Sequence, residues 1–234
     1  ITVTVSDGTT TTATTFLLTV TAVNDAPTIS AIADTTTAED TATSALAFTI
    51  GDVETPTADL MVTATSSNTT LVPNASLVLA GAGADRTLTA TPALHQFGTS
   101  TITLTVSDGT ATTSTTFVLT VTAVNDTPTI GAIADTTTAE DTATSALAFS
   151  VGDIETTATD LTLTATSSNT TLVPNTNLVL GGTDANRTLT ATPALHQFGT
   201  STITLTVSDG TTTNATTFVL TVTAVNDAPT ISAI

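Results

Sequence analysis

The chain carries 20 acidic residues against two Arg and no Lys, and its capacity for chemistry depends on where those acids fall. Asn24-Asp25 in "VTAVNDAPT" returns as Asn125-Asp126 in "VTAVNDTPT", 101 residues later. Asp52 and Glu54 share "GDVET", and Asp153 and Glu155 share "GDIET". Asp108 and Asp209 each sit in "VSDG", while Glu39 lies beside Asp40 in "TAEDT". Carboxylates, an amide and backbone carbonyls are hard oxygen donors, and six to eight of them make the shell that Ca²⁺ takes. Mg²⁺ fits less well, because it demands a tight octahedron and keeps its waters. Like charges gathered closely repel unless something neutralises them. A second reading stays open: Asn and Asp tolerate turn geometry, Pro stiffens the exit, and acids in loops are commonly just solvated.

Other chemistry finds little footing. His95 and His196 lie in "LHQFG" with no Cys, Ser or second His arranged around them, so packing or hydrogen bonding is expected of them. No nucleophile–base pair or phosphate-cradling Gly loop is present, and no enzyme activity is expected. Two Arg cannot neutralise a phosphate backbone, which excludes nucleic acid as a partner. Zero Cys removes disulfides and thiolate metal sites. No apolar run approaches the roughly 18 residues of a membrane-spanning helix, so this segment is not expected to insert in a membrane. Arg86 and Arg187 are expected to pair with nearby acids, and Asp34, Asp59, Asp135 and Asp160 to be solubilising surface charges.

The elements that position the acids follow from repetition. "ITVTVSDG" at Ile1 becomes "ITLTVSDG" at Ile102 and again at Ile203, and residues 26–126 and 127–227 differ at about 19 positions without a slip in register. A unit of about 100 residues is the size of a sandwich domain rather than a solenoid turn. The expected organisation is the last two strands of an incomplete repeat (1–25), complete repeats at 26–126 and 127–227, and the first strand of another (228–234). A chain that opens in mid-strand reads as a window cut from a longer protein. Thr occupies 69 positions and alternates with Val, Leu, Ile and Phe, a pattern of half-buried strands. In 26–126 seven strands are expected: A at 28–33, B at 45–50, C at 60–65, D at 76–79, E at 87–91, F at 100–106 and G at 112–124. The B–C and F–G loops then bring Asp52, Glu54 and Asp108 to the end where Asn24-Asp25 arrives. Glu39 lies at the other end, near where strand G leaves through Asn125-Asp126, so that Asp153, Glu155 and Asp209 would meet it there.

On these residues the chain resembles a family. "VTAVNDAPTI" looks like the inter-domain linker of cadherins, "GDVET" like the acid-x-acid motif of the following domain, "VSDGT" like its later Asp and "AED" like the Glu near the first strand. The whole unit is similar to the cadherin-like, Ig-like tandem repeats of large bacterial surface adhesins. The resemblance implies all-β, seven-stranded Greek-key sandwiches in an extended rod, Ca²⁺ at the junctions, and a place outside the cell or on its surface. Where cadherins add an acidic motif, this chain has "LHQFG", so one or two ions per junction are expected rather than three. The expected function is that of spacer repeats in a bacterial adhesin, partnered by neighbouring repeats of the same chain. The alternative is a homopolymeric extracellular filament in which like chains complete one another's strand sets.

Overall fold

Alternation of Thr with large aliphatic residues gives a strand one wet and one dry face, and two such sheets must cover each other's dry faces. The computed structural model describes residues 1–229 and 231 and divides them into compact units at 1–123 and 124–234, each treated by itself below. The strand expected over 228–234 falls largely on residues outside that set.

Unit 1 begins with a hairpin, β1 (Thr2–Ser6) and β2 (Thr11–Thr15), followed by an irregular segment to Pro27. The sandwich consists of β3 (Thr28–Ile29), β4 (Thr35–Ala38), β5 (Leu46–Gly51), β6 (Met61–Ser66), β7 (Leu77–Ala82), β8 (Asp85–Ala90), β9 (Gly98–Ser107) and β10 (Thr112–Thr122). One sheet has the order β3-β5-β8-β7 and the other β4-β10-β9-β6. Unit 2 repeats the plan with β11 (Thr129–Ile130), β12 (Thr136–Ala139), β13 (Leu147–Gly152), β14 (Thr162–Ser167), β15 (Leu178–Thr183), β16 (Asn186–Ala191), β17 (Gly199–Ser208) and β18 (Thr213–Thr223). Its sheets run β11-β13-β16-β15 and β12-β18-β17-β14. Phe48, Ile50 and Leu88 of one sheet share a core with Ile102, Leu104, Val106, Phe117, Leu119 and Val121 of the other, and the same cluster recurs in unit 2.

The first strand differs from expectation. It is two short strands: β3 pairs antiparallel with β5, and β4 then pairs parallel with β10 in the opposite sheet. Ile32 is buried at this crossing, and Asp34 accepts the Val118 N–H at 2.7 Å. Asp135 does the same for Val219 at 2.7 Å, so these two acids secure the crossing rather than serving only as surface charge. "DTTTA" carries no large side chain, and the alternation that marks the other strands is therefore missing from β4.

One loop lies deeper than its residue types indicate, and one further expectation changes. "SSNTTLVPN" leads out of β6 as a loop, yet Leu71 and Val72 within it are core residues at 2% and 0% exposure. The loop is held against the sandwich by buried Ser100, whose hydroxyl lies 2.8 Å from that of Ser66 and accepts the Asn68 N–H at 3.2 Å. Arg86 and Arg187 turn to carbonyls rather than acids. Arg86 donates to Thr57 O at 3.0 Å and Gly81 O at 3.3 Å, and Arg187 donates to Ala158 O at 2.7 Å. Gly81 and Gly182 hold the β7–β8 and β15–β16 hairpins at φ +94° and +83°, where a Cβ would strike the backbone of the facing strand.

Candidate metal-binding linker site

The F–G turn is the foundation of the site, and it forms without help from any linker. In the β1–β2 hairpin, Asp7 Oδ1 accepts the Thr9 and Thr10 N–H groups at 2.8 and 2.7 Å. These donors, Thr10 first, hold the Asp7 carboxyl down to about 2. Asp108 repeats the turn with the N–H groups of Thr110 and Ala111, each at 2.6 Å, and Asp209 with those of Thr211 and Thr212, each at 2.6 Å. The "VSDG" acid is therefore first a turn former, which is the bland reading of the motif.

The linker adds a second function. Asn24 Nδ2 donates to Asp108 Oδ2 at 2.9 Å and to Asp25 O at 2.9 Å, while the Asp25 N–H donates to Glu54 Oε2 at 3.1 Å. In unit 2, Asn125 Nδ2 donates to Asp209 Oδ2 at 2.9 Å and to Asp126 O at 2.7 Å, and the Asp126 N–H donates to Glu155 Oε2 at 2.9 Å. Asn and Asp of the pair thus bind different loops of the sandwich that follows them. Unit 2 carries one more tie, from Asn214 Nδ2 to Pro128 O at 3.0 Å, at the position where unit 1 has Thr113. The Asp209 carboxyl lies well below the usual carboxylate range, first because of the Thr212 N–H, with the Asn125 amide and Thr211 N–H adding to it. Asp108 is lowered by the Ala111 N–H first and then by Asn24.

The B–C loop supplies the groups best suited to a cation. Asp153 Oδ1 accepts the Glu155 and Thr156 N–H groups at 3.1 and 2.8 Å, and Asp52 Oδ1 those of Glu54 and Thr55 at 3.0 and 2.7 Å. This self-capping turn leaves Asp52 Oδ2 and Asp153 Oδ2 buried with no hydrogen-bond partner, as is Glu155 Oε1. A buried carboxylate oxygen without a donor is costly, and a hard divalent cation is the group that satisfies several at once. The donor set fits Ca²⁺ in chemistry: carboxylates from two loops, an Asn side chain and linker carbonyls.

The expected residues therefore fall into two sets. Asn24, Asp25, Asp52, Glu54 and Asp108 come together in unit 1, and Asn125, Asp126, Asp153, Glu155 and Asp209 in unit 2. Glu39 lies at the other end of its sandwich. It follows β4, its N–H bonds to Thr122 O at the far end of β10, and it is buried at 3% exposure, whereas Asp108 stands before β10 begins. Its counterpart Glu140 has a clear task within unit 2: Oε1 accepts the Val225 N–H at 2.6 Å, guiding the chain out of β18. No sequence signal distinguishes that buried acid from its exposed neighbour.

Residues 24–122 match the family model of the bacterial Ig domain. The first complete repeat is thus similar to a bacterial Ig domain over nearly its whole length, and residues 127–227 repeat it with about 19 changes. The matched span opens at Asn24, so the linker pair lies within the bacterial Ig domain as the family defines it. Such a domain is a structural repeat. No curated protein matches the chain. Among solved structures, titin domains Z1Z2 in complex with telethonin are 13% identical, with 88% of this chain and 100% of that one covered and a TM-score of 0.41. An endo-fucoidan hydrolase of glycoside hydrolase family 107 is 20% identical over 97% of this chain and 34% of its own, with a TM-score of 0.36. No helix among the described residues is long and apolar enough to cross a membrane.

Proposed function

We propose that these bacterial Ig-like domains are non-catalytic spacer repeats of a bacterial cell-surface or extracellular adhesin, and that Ca²⁺ locks each linker onto the domain that follows it. The observation that carries this reading is the pair of buried, partnerless oxygens Asp153 Oδ2 and Glu155 Oε1, two residues apart and beside the Asp126 linker N–H. Asp153 and Glu155 would be the principal ligands, joined by the Asp126 carboxylate and the Asn125 side-chain oxygen. Asp209 serves more as the anchor of Asn125 than as a ligand, since its oxygens already accept protein donors. Asp52, Glu54, Asp25, Asn24 and Asp108 play the same parts in unit 1. The ion supplies charge neutralisation: it binds the docked linker and not a detached one, and so shifts the population towards the docked form.

Calcium titration calorimetry, with small-angle scattering in Ca²⁺ and in chelator, tests the reading. Binding with a longer maximum dimension in Ca²⁺ is expected. No heat and an unchanged dimension retire it. The filament alternative draws on the β1–β2 hairpin and the irregular segment after it, where Val3 and Val5 of β1 and Phe16 and Leu18 beyond β2 are exposed and a strand from a like chain could cover them. The native mass of the secreted material separates one long chain from a polymer of short ones.

A further inference from the structure

Asp141, His196 and Asp227 of unit 2 belong to neither set of calcium candidates, and each offers one ligand atom within 4.8 Å of the others. His196 Nδ1 stands 3.0 Å from Asp227 Oδ2 and 3.4 Å from Asp141 Oδ2. Ligands bound to one ion at bond lengths of about 2.0–2.1 Å in a tetrahedron lie about 3.3 Å from each other, so the two ring-to-carboxylate separations suit a shared coordination shell, and the two carboxylates lie within 4.8 Å of each other. We propose that Asp141, His196 and Asp227 form a binding site for a borderline transition-metal ion of the Zn²⁺ class, with solvent in the remaining position.

Three different loop segments deliver the ligands, and a backbone hydrogen bond ties two of them together. Asp141 follows β12 and holds the His196 N–H through Oδ1 at 2.7 Å, which leaves Oδ2 towards the ring. Both residues adopt left-handed backbone, at φ 62° and 56°. Asp227 lies just beyond β18, on chain that Glu140 tethers through Val225. The pair is rebuilt in unit 1, where Asp40 Oδ1 accepts the His95 N–H at 2.8 Å and Oδ2 lies 3.6 Å from the ring Nδ1. The sequence counterpart of Asp227 there is Asp126. An imidazole nitrogen with two carboxylates selects Zn²⁺ or a neighbouring ion over Ca²⁺, which prefers an all-oxygen shell of six or more. Because the ring is 67% exposed, the ion enters without any opening of the fold.

The test is a Zn²⁺ titration of the whole chain in excess Ca²⁺, followed by the imidazole nitrogen and carbon resonances. The chain has two His, so His95→Gln assigns the ring signals. The expected result is a Zn²⁺-dependent shift at His196 Nδ1, lost in His196→Gln and weakened at least about tenfold in an Asp141→Asn/Asp227→Asn variant. An unmoved His196 ring overturns the proposal. A ring shift of equal affinity in the double Asn variant also overturns it, because the histidine would then be binding alone. Excess Ca²⁺ keeps the oxygen-ligand loops out of the readout, so failure here leaves the calcium reading untouched and the reverse holds as well.

Discussion

Asn125 Nδ2 donates to Asp209 Oδ2 at 2.9 Å, and 101 residues earlier Asn24 makes the same bond to Asp108 at 2.9 Å. A side chain in the linker thereby reads the state of a turn 84 residues further on. Asn125→Ala removes one of the donors that hold the Asp209 carboxyl low and leaves the Thr212 and Thr211 N–H groups in place. The Asp209 pKa should therefore rise in the variant yet stay below that of an ordinary Asp, as followed by carboxyl-carbon NMR. An unchanged Asp209 titration would show that the amide does not hold the turn in solution.

Depressed carboxyl pKa values make the fold acid-sensitive in a defined window. Asp7, Asp108 and Asp209 all have folded values below the ordinary 3.8. For a lowered carboxyl the folded state binds fewer protons than the unfolded one, so the stabilisation is complete above the unfolded pKa. It is lost as the pH falls from about 4 through the folded values. Urea midpoints should be flat from neutral pH to about 5 and fall below about 4. An Asp108→Asn/Asp209→Asn variant should show a shallower fall.

Asp153→Asn should reverse its effect with calcium. In chelator the substitution removes a charge whose Oδ2 is buried without a partner, so the variant should be at least as stable as the parent chain. In Ca²⁺ it should miss the stabilisation that the ion gives, about 2.7 kcal/mol at a hundredfold excess over Kd. Melting curves of both proteins in Ca²⁺ and in chelator would reveal the crossing. Parallel curves would remove Asp153 from the ligand set.

Much of the fold is legible in the sequence because alternation is a local signal. Phe117, Leu119 and Val121 face the core as their spacing requires, and all three are at most 2% exposed. The split of the first strand was not legible, since "DTTTA" has no apolar side chain to show which sheet it joins. The acids were legible as a converging set, because the loop order follows from the strand order. Their individual roles were not. Whether Asp108 binds a metal or its own turn depends on donors 2.6 Å away, and backbone N–H groups leave no trace in residue types. The His196 contacts were hidden for another reason: the three ligands come from "TAEDT", "LHQFG" and "VNDAP", which only the folded unit places side by side.

Leu71 should behave as core despite its loop. Leu71→Ala should cost about 2–5 kcal/mol in urea unfolding, the range for emptying a buried Leu site. Leu94→Ala, at 72% exposure, should change stability by no more than about 0.5 kcal/mol. Equal effects would mean that the "SSNTTLVPN" loop is not docked.

Glu140→Ala should free the chain leaving β18. A hydrogen bond to a charged acceptor is worth about 1.5–3 kcal/mol, so Val225 amide exchange should speed up by an order of magnitude or more. Glu140→Gln keeps an acceptor and should restore most of the protection. If Val225 exchanges at the parent rate in the Ala variant, the carboxylate does not guide the exit.

The division of the chain between Ala123 and Val124 places Asn125-Asp126 with the sandwich that follows, just as the family match starts at Asn24. Each module therefore carries its own socket for the strand that enters it. A gene segment duplicated in that frame copies the joint together with the body, and the new copy needs no compensating change in its predecessor beyond a free end on strand G. An array built this way lengthens by whole units, which is how 101 residues can recur with about 19 changes and no slip in register.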